Sequence, residues 1–228
     1  MKTRIILVRH AEAEGNANRV FHGWTDSSIT EKGHLQAAQV AERLRNTEID
    51  VIYSSTLKRA VQTAQHIADI KGLPIIKTDL LKEINGGNWE DVSWIELAKK
   101  WPKHYFLWEN FPHLHRMPEG ESMEEMFLRI VGELKKIVEI NKGKQICIVT
   151  HGTAIKALMC HLKGCSLDEM LNIPWHENTS VSVFDYDEDT GVYIAITEGD
   201  ASHLKKSMGT LQNQDWWIDL MKDGGGAK

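Results

Sequence analysis

Two histidines in this chain stand where a short apolar run gives way to small and polar residues. Ile5-Ile6-Leu7-Val8 leads into Arg9-His10, and Ile146-Cys147-Ile148-Val149 leads into Thr150-His151-Gly152. A third run, Val51-Ile52-Tyr53, continues through Ser54-Ser55-Thr56-Leu57-Lys58 to Arg59. A neutral imidazole exposes a lone pair near pH 7 and can attack phosphorus. An arginine offers a planar fork of donors suited to a doubly charged phosphoryl group. Two residues of each kind at one rim therefore point to phosphoryl chemistry. A leaving alkoxide would need a proton from a carboxyl group kept protonated part of the time. Residue chemistry alone leaves Glu12, Glu14, Glu83 and Glu90 as rivals for that task. Each histidine alone is ordinary; the signal is the combination at three segment ends.

Those residues can meet only if the runs are neighbouring strands. Continuous apolar runs of four are the pattern of strands buried on both faces. Helical spacing separates them: Leu35, Ala38, Ala41 and Leu44 after an N-cap at Thr30, predicting a helix over 31–46. A second helix is predicted over 57–71, with Ala60, Ala64, Ile67 and Ile70 on one face and Gly72 and Pro74 ending it. Ile75-Ile76 reads as a short strand, and Ser122 with Glu125 reads as a capping box opening a helix that carries Phe127, Ile130, Leu134, Ile137 and Val138. A further helix is predicted from Gly152 to Leu162. Val181–Phe184 and Val192–Ile196 flank Asp187-Glu188-Asp189-Thr190-Gly191, a hairpin signal. The expected fold is an α/β, three-layer αβα domain with a mostly parallel central sheet and an antiparallel hairpin at one edge. Ligands bind at the carboxyl ends of parallel strands, so His10, His151 and Arg59 are expected at one rim. The run Ala11–Asn16 is expected to be a turn.

The chain has 228 residues, of which 42% are hydrophobic and 26% charged, an ordinary globular balance for one domain. Its 27 basic and 32 acidic residues give a net charge of −5, which supplies no electrostatic attraction to nucleic acid or an anionic membrane. No apolar run approaches the roughly 20 residues of a membrane span. The N-terminal apolar stretch is too short for a signal peptide, and three cysteines without a CxxC pair do not make a disulfide framework, so a cytoplasmic location is expected. Residues 89–117 hold Trp89, Trp94, Trp101 and Trp108, four of the eight tryptophans, and interrupt the strand–helix rhythm. They are expected to form a small helical lid insertion, its aromatics packing on the sheet, lining a substrate pocket, or both. The tail 223–228 is expected to be disordered.

Leu7-Val8-Arg9-His10-Ala11-Glu12 followed by Asn16 resembles the signature of the histidine phosphatase superfamily, the phosphoglycerate mutase-like fold, usually written Arg-His-Gly-Glu. Further segments follow in that family's order: Ile29 to Ala37, Ser54 to Ala60 with Gln62-Thr63-Ala64, Leu81-Lys82-Glu83-Ile84 with Gly87 and Trp89-Glu90, Pro118 to Ser122, and Val149 to Gly152. The resemblance spans roughly residues 4–200. With Glu198 to Leu204 and the compact lid, it is nearest in look to bacterial broad-specificity phosphatases. It implies that His10 is the nucleophile that becomes phosphohistidine, that Arg9, Arg59 and His151 clamp the phosphoryl group, and that Asn16 and Gly152 line its pocket. It also implies that Glu83 is the proton donor. Ala11 and Ala13 depart from the usual Gly and Thr. His22-Gly23 falls where relatives carry polar residues near the substrate, so His22 either adjusts substrate choice or is a rim residue of no consequence.

The resemblance thus implies a metal-independent phosphomonoesterase acting on small phosphorylated metabolites, with inorganic phosphate as product, no cofactor and no metal. A phosphoglycerate mutase uses the same site, but mutases of the family typically carry a larger insertion than the roughly 35 residues between Glu83 and Pro118. A non-catalytic phosphate-binding or interaction module is the alternative of a different class, and the presence of all five site residues weighs against it. A metallohydrolase would need HxxEH or HExxH spacing, and His113-Leu114-His115 is a weak pair by comparison.

Overall fold

The computed structural model describes residues 2–211; the expectation for 223–228 lies outside them. Six strands form one sheet: β1 (Lys2–Arg9), β2 (Val51–Ser55), β3 (Ile75–Thr78), β4 (Gln145–Thr150), β5 (Val181–Asp187) and β6 (Val192–Asp200). Their order across the sheet is β3-β2-β4-β1-β5-β6. β1 is parallel to β4, and β2 is parallel to both β4 and β3. β5 runs antiparallel to β1 and to β6, which is the edge hairpin read from the sequence.

Side chains on a strand alternate between faces, and the apolar runs exploit it. Ile5, Leu7, Ile146 and Ile148 join a core with α6 (Met123–Ile140) and α7 (Gly152–Leu162). Their neighbours Ile6, Val8, Cys147 and Val149 join a second core with α2 (Glu31–Arg43) and α3 (Lys58–Lys71). The result is the expected three layers. Thr30 caps α2 by accepting from the Gly33 N–H, and Ser122 and Glu125 form the capping box of α6. Gly72, in the left-handed region at φ 65°, ends α3. Among the described residues no helix is long and apolar enough to cross a membrane.

One local expectation is corrected. The run expected as a turn contains a short helix, α1 (Glu14–Asn18). Asn16 Oδ1 accepts from the Ala13 N–H at 3.0 Å, while the Ala13 carbonyl accepts from Asn16 and Ala17, an arrangement that needs no hydroxyl at the cap. Within 89–117, α4 (Trp94–Lys100) and α5 (Pro102–Asn110) meet at Trp101. Phe21 receives Trp89, Trp94 and Trp108 edge-on at 5.4–5.8 Å between centroids, so these rings pack inward, whereas Phe106 and Phe111 face outward.

Candidate active site

The strand order sets the site. β4 lies between β1 and β2, with Arg9 opposite Thr150 and Ser54 opposite Val149. The pairing continues one residue further, the His10 N–H donating to the Thr150 carbonyl at 2.8 Å. His10 and His151 therefore leave adjacent strand ends, their rings 5.1 Å apart. Arg59 enters from the first turn of α3 after β2 and is almost fully buried.

The hydrogen bonds assign the tautomers. His10 Nδ1 lies 2.7 Å from the Ala11 carbonyl, which can only accept, so Nδ1 carries the hydrogen and Nε2 the lone pair. Burial, then the charges of Arg59 and Arg9, hold the His10 pKa well below 6.5. His151 is the converse case. Arg59 Nε, which can only donate, reaches His151 Nδ1 at 3.2 Å, so His151 presents an Nε2–H. That buried Nε2 and the buried Arg9 Nε have no partner among the described residues. Burial, followed by Arg59, likewise keeps His151 neutral far below 6.5.

The arginines are placed by backbone carbonyls. Arg9 Nη1 donates to the carbonyl of His176. Arg59 Nη1 donates to Thr25 O at 2.8 Å, and Nη2 to Gly23 O at 2.7 Å and His22 O at 3.2 Å. Burial lowers both pKa values, that of Arg59 to about 10, and both remain cations at neutral pH. Glu83 follows β3 and a 3-10 turn, Asp79–Leu81. Its Oε2 accepts from the Thr153 N–H at 2.9 Å, and its Oε1 from Ala154 at 3.1 Å and Ile84 at 2.9 Å. The carboxyl group thus sits on the first turn of α7, where it is held by N–H groups that have no partner within the helix. Gly152 leaves room for Trp175, whose ring a Cβ there would meet at 3.1 Å, and for the Arg9 guanidinium beside it at 3.4 Å.

The remaining predicted residues lie around this group. Asn16 Oδ1 is 3.5 Å from Asn178 Nδ2, which donates to the His10 carbonyl at 2.7 Å. His22 stacks against Gly15, bonds through Nδ1 to Ser27 at 3.0 Å and reaches Asp91 at 3.1 Å; burial lowers its pKa from 6.5. Its side chain braces the loop, and its carbonyl helps to hold Arg59. At Gly23 a Cβ would lie 2.2 Å from Ile84 O, so only glycine fits.

Sequence reasoning missed four contributors. Glu90, one of the rival carboxylates, accepts from the N–H groups of Trp24 and Gly86 on Oε1 and from Gly23 N, Thr25 N and Thr25 Oγ1 on Oε2, at 2.7–3.0 Å. Arg129 donates to the carbonyls of Leu80, Lys82 and Glu83 while paired with Glu121, fixing the segment that carries Glu83. His176 and Asn178 hold Arg9 and His10 through the contacts above. Buried Glu12, read as a rival acid, instead joins Thr30, Thr210 and Lys32 away from this group. Only the Trp89-Glu90 dipeptide carried a sequence signal.

Residues 5–198 match the profile of the histidine phosphatase superfamily, branch 1. The chain belongs to that superfamily. Relatives within it include phosphoserine phosphatase 1 of Hydrogenobacter thermophilus, 33% identical over 85% of this chain and 91% of that protein. A probable phosphoglycerate mutase, GpmB of Yersinia pestis, is 36% identical over 88% of this chain and 94% of its own. Among solved structures, YhfR of Bacillus stearothermophilus superposes with a TM-score of 0.85 at 33% identity, covering 89% of this chain and all of that one. These histidine phosphatase relatives support phosphatase activity in general.

Proposed function

We propose that the chain is a phosphomonoesterase that hydrolyses small phosphorylated metabolites through a phosphohistidine on His10. The observation that carries this reading is the His10 tautomer: a free Nε2 lone pair in a pocket that also holds two arginines and an imidazole N–H. His10 Nε2 attacks phosphorus, the ester P–O bond breaks, and the departing oxygen takes a proton from Glu83. Water then gives a proton back to Glu83 and attacks the phosphoenzyme; the P–N bond breaks and inorganic phosphate leaves. Arg9, Arg59 and the His151 Nε2–H face the charge that grows on the equatorial oxygens, and such preorganised donors are where most transition-state stabilisation arises. That charge being met by side chains supports a reaction that needs no metal, and turnover should be unchanged by EDTA.

The bonds from Glu90 to the loop that holds Arg59 support reading residues 89–117 as a lid, and the three free cysteines suit a cytoplasmic setting. The phosphoserine phosphatase relative favours a substrate in which a carboxylate accompanies the phosphate. The mutase name of the second relative supports one further reading, in which the phosphoryl group returns to the substrate. Phosphate release from a panel including phosphoserine, phosphoglycerates and sugar phosphates, in EDTA, separates them. Stoichiometric free phosphate supports hydrolysis. Isomerised phosphoglycerate accumulating well ahead of free phosphate would reassign the chain as a mutase.

A further inference from the structure

α2 and α3 lie side by side on one face of the sheet and carry a second pair of histidines outside the group described above. His34 Nδ1 on α2 stands 3.2 Å from His66 Nε2 on α3, with ring centroids 5.5 Å apart and planes inclined at 58°. His34 is exposed and His66 half-buried, so the pair opens to solvent. The separation fits two nitrogens sharing a hydrogen, and it also fits two nitrogens sharing an ion. Ligand nitrogens at 2.0–2.1 Å from tetrahedral zinc stand about 3.3–3.4 Å apart, within roughly 0.2 Å of the spacing seen here. Neutral imidazole is the commonest ligand of such ions. Asp69, one turn beyond His66 on α3 and bonded to Gln65, adds a negative charge that reaches His66.

We propose that His34 and His66 form a surface site for a divalent transition-metal ion of the zinc, nickel or copper type, which staples α2 to α3. No third His, Cys, Asp or Glu joins them among the described residues, so water completes the coordination. The staple bears on the loop after His10. Gln36, on α2 beside His34, accepts from the Glu12 N–H at 2.8 Å, and Thr63, one turn before His66, accepts from the Ala11 N–H at 2.9 Å. An ion joining the helices stiffens both supports of that loop.

The test is calorimetric titration of zinc, and separately nickel, into the metal-stripped full-length protein, with thermal unfolding measured in parallel. The parent should bind one equivalent and unfold at higher temperature when loaded, since an ion bound only by the folded chain stabilises it. His34→Ala and His66→Ala should each lower that affinity at least about tenfold, the scale lost with even an outer-sphere partner of a metal, and abolish the rise in Tm. His66→Gln, which keeps the side-chain volume, should do the same if alanine disturbs the helix. Unchanged affinity and stoichiometry in both single variants would overturn the proposal by placing the ion elsewhere. Absence of binding in the parent would overturn it too, leaving the pair as a hydrogen bond.

Discussion

Glu90→Gln isolates the loop that holds Arg59. In the parent, one carboxylate receives five hydrogen bonds, three on Oε2 and two on Oε1, from Gly23, Trp24, Thr25 and Gly86. An amide of the same shape can face only one of these sets with its oxygen. Whichever way it turns, an NH2 group then meets at least two backbone N–H donors. Orphaning a donor costs about 1–3 kcal/mol, so two cost about 2–6 kcal/mol, and the loop relaxes toward water. The carbonyls of His22, Gly23 and Thr25 that anchor Arg59 move with it. If about 3 kcal/mol of that appears in the barrier, kcat/KM falls on the order of 10²-fold. The loss lies in Arg59 placement and involves no proton, so p-nitrophenyl phosphate and an alkyl phosphate should lose rate equally. Parent-like kcat/KM on both would refute the loop argument. A loss confined to the alkyl ester would make Glu90 the proton donor.

Three other outcomes follow from the same geometry. Glu83→Gln should lose about 10²–10⁴-fold on an alkyl phosphate, the usual yield of general acid catalysis, and much less on p-nitrophenyl phosphate, whose leaving anion is stable; equal losses would leave Glu83 a structural cap of α7. Arg59→Ala should weaken vanadate inhibition by about 1.5–3 kcal/mol, the worth of a hydrogen bond to a charged group, and unchanged inhibition constants would place Arg59 outside the pocket. His115 is buried between Trp89, Trp108 and His104, and burial pushes its pKa to about 4. Its ring stays neutral in the folded chain while the unfolded chain takes up a proton below about 6.5, so the stability is fully present above that pH and drains as pH falls toward 4. Shifts of that size are worth about 3 kcal/mol, and urea unfolding of His115→Phe at pH 7 and pH 4.5 should show a flatter slope than the parent; identical slopes would contradict it.

The layers were legible because the strands are short apolar runs whose alternate residues feed two cores, and the helices carry their own punctuation at Thr30, Gly72 and Ser122. The rim residues His10, Arg9, Arg59 and His151 were legible because each ends a strand or closely follows one in sequence. Glu83 came only through family resemblance: it reaches the site by bonding to the start of a helix some 70 positions later, a relation no local pattern encodes. Glu90, Arg129 and Asn178 act through bonds to backbone groups distant in sequence, and His176 through its own carbonyl, which accepts from Arg9; their residue types alone are common on any surface. α1 escaped notice because Ala13 is a poor cap and Asn16 does the bonding from inside the turn.

His10 should be phosphorylated on its unprotonated nitrogen. Rapid quenching during turnover of a radiolabelled phosphomonoester, followed by peptide mapping, addresses it directly. An acid-labile, base-stable phosphoryl group is expected on the peptide containing His10, attached at Nε2 because Nδ1–H is committed to the Ala11 carbonyl. His10→Ala should form no adduct and no product while keeping its fold and its phosphate binding through Arg9 and Arg59. A phosphoryl group on a Ser, Cys or Asp, or a His10→Ala variant turning over near the parent rate, would contradict it.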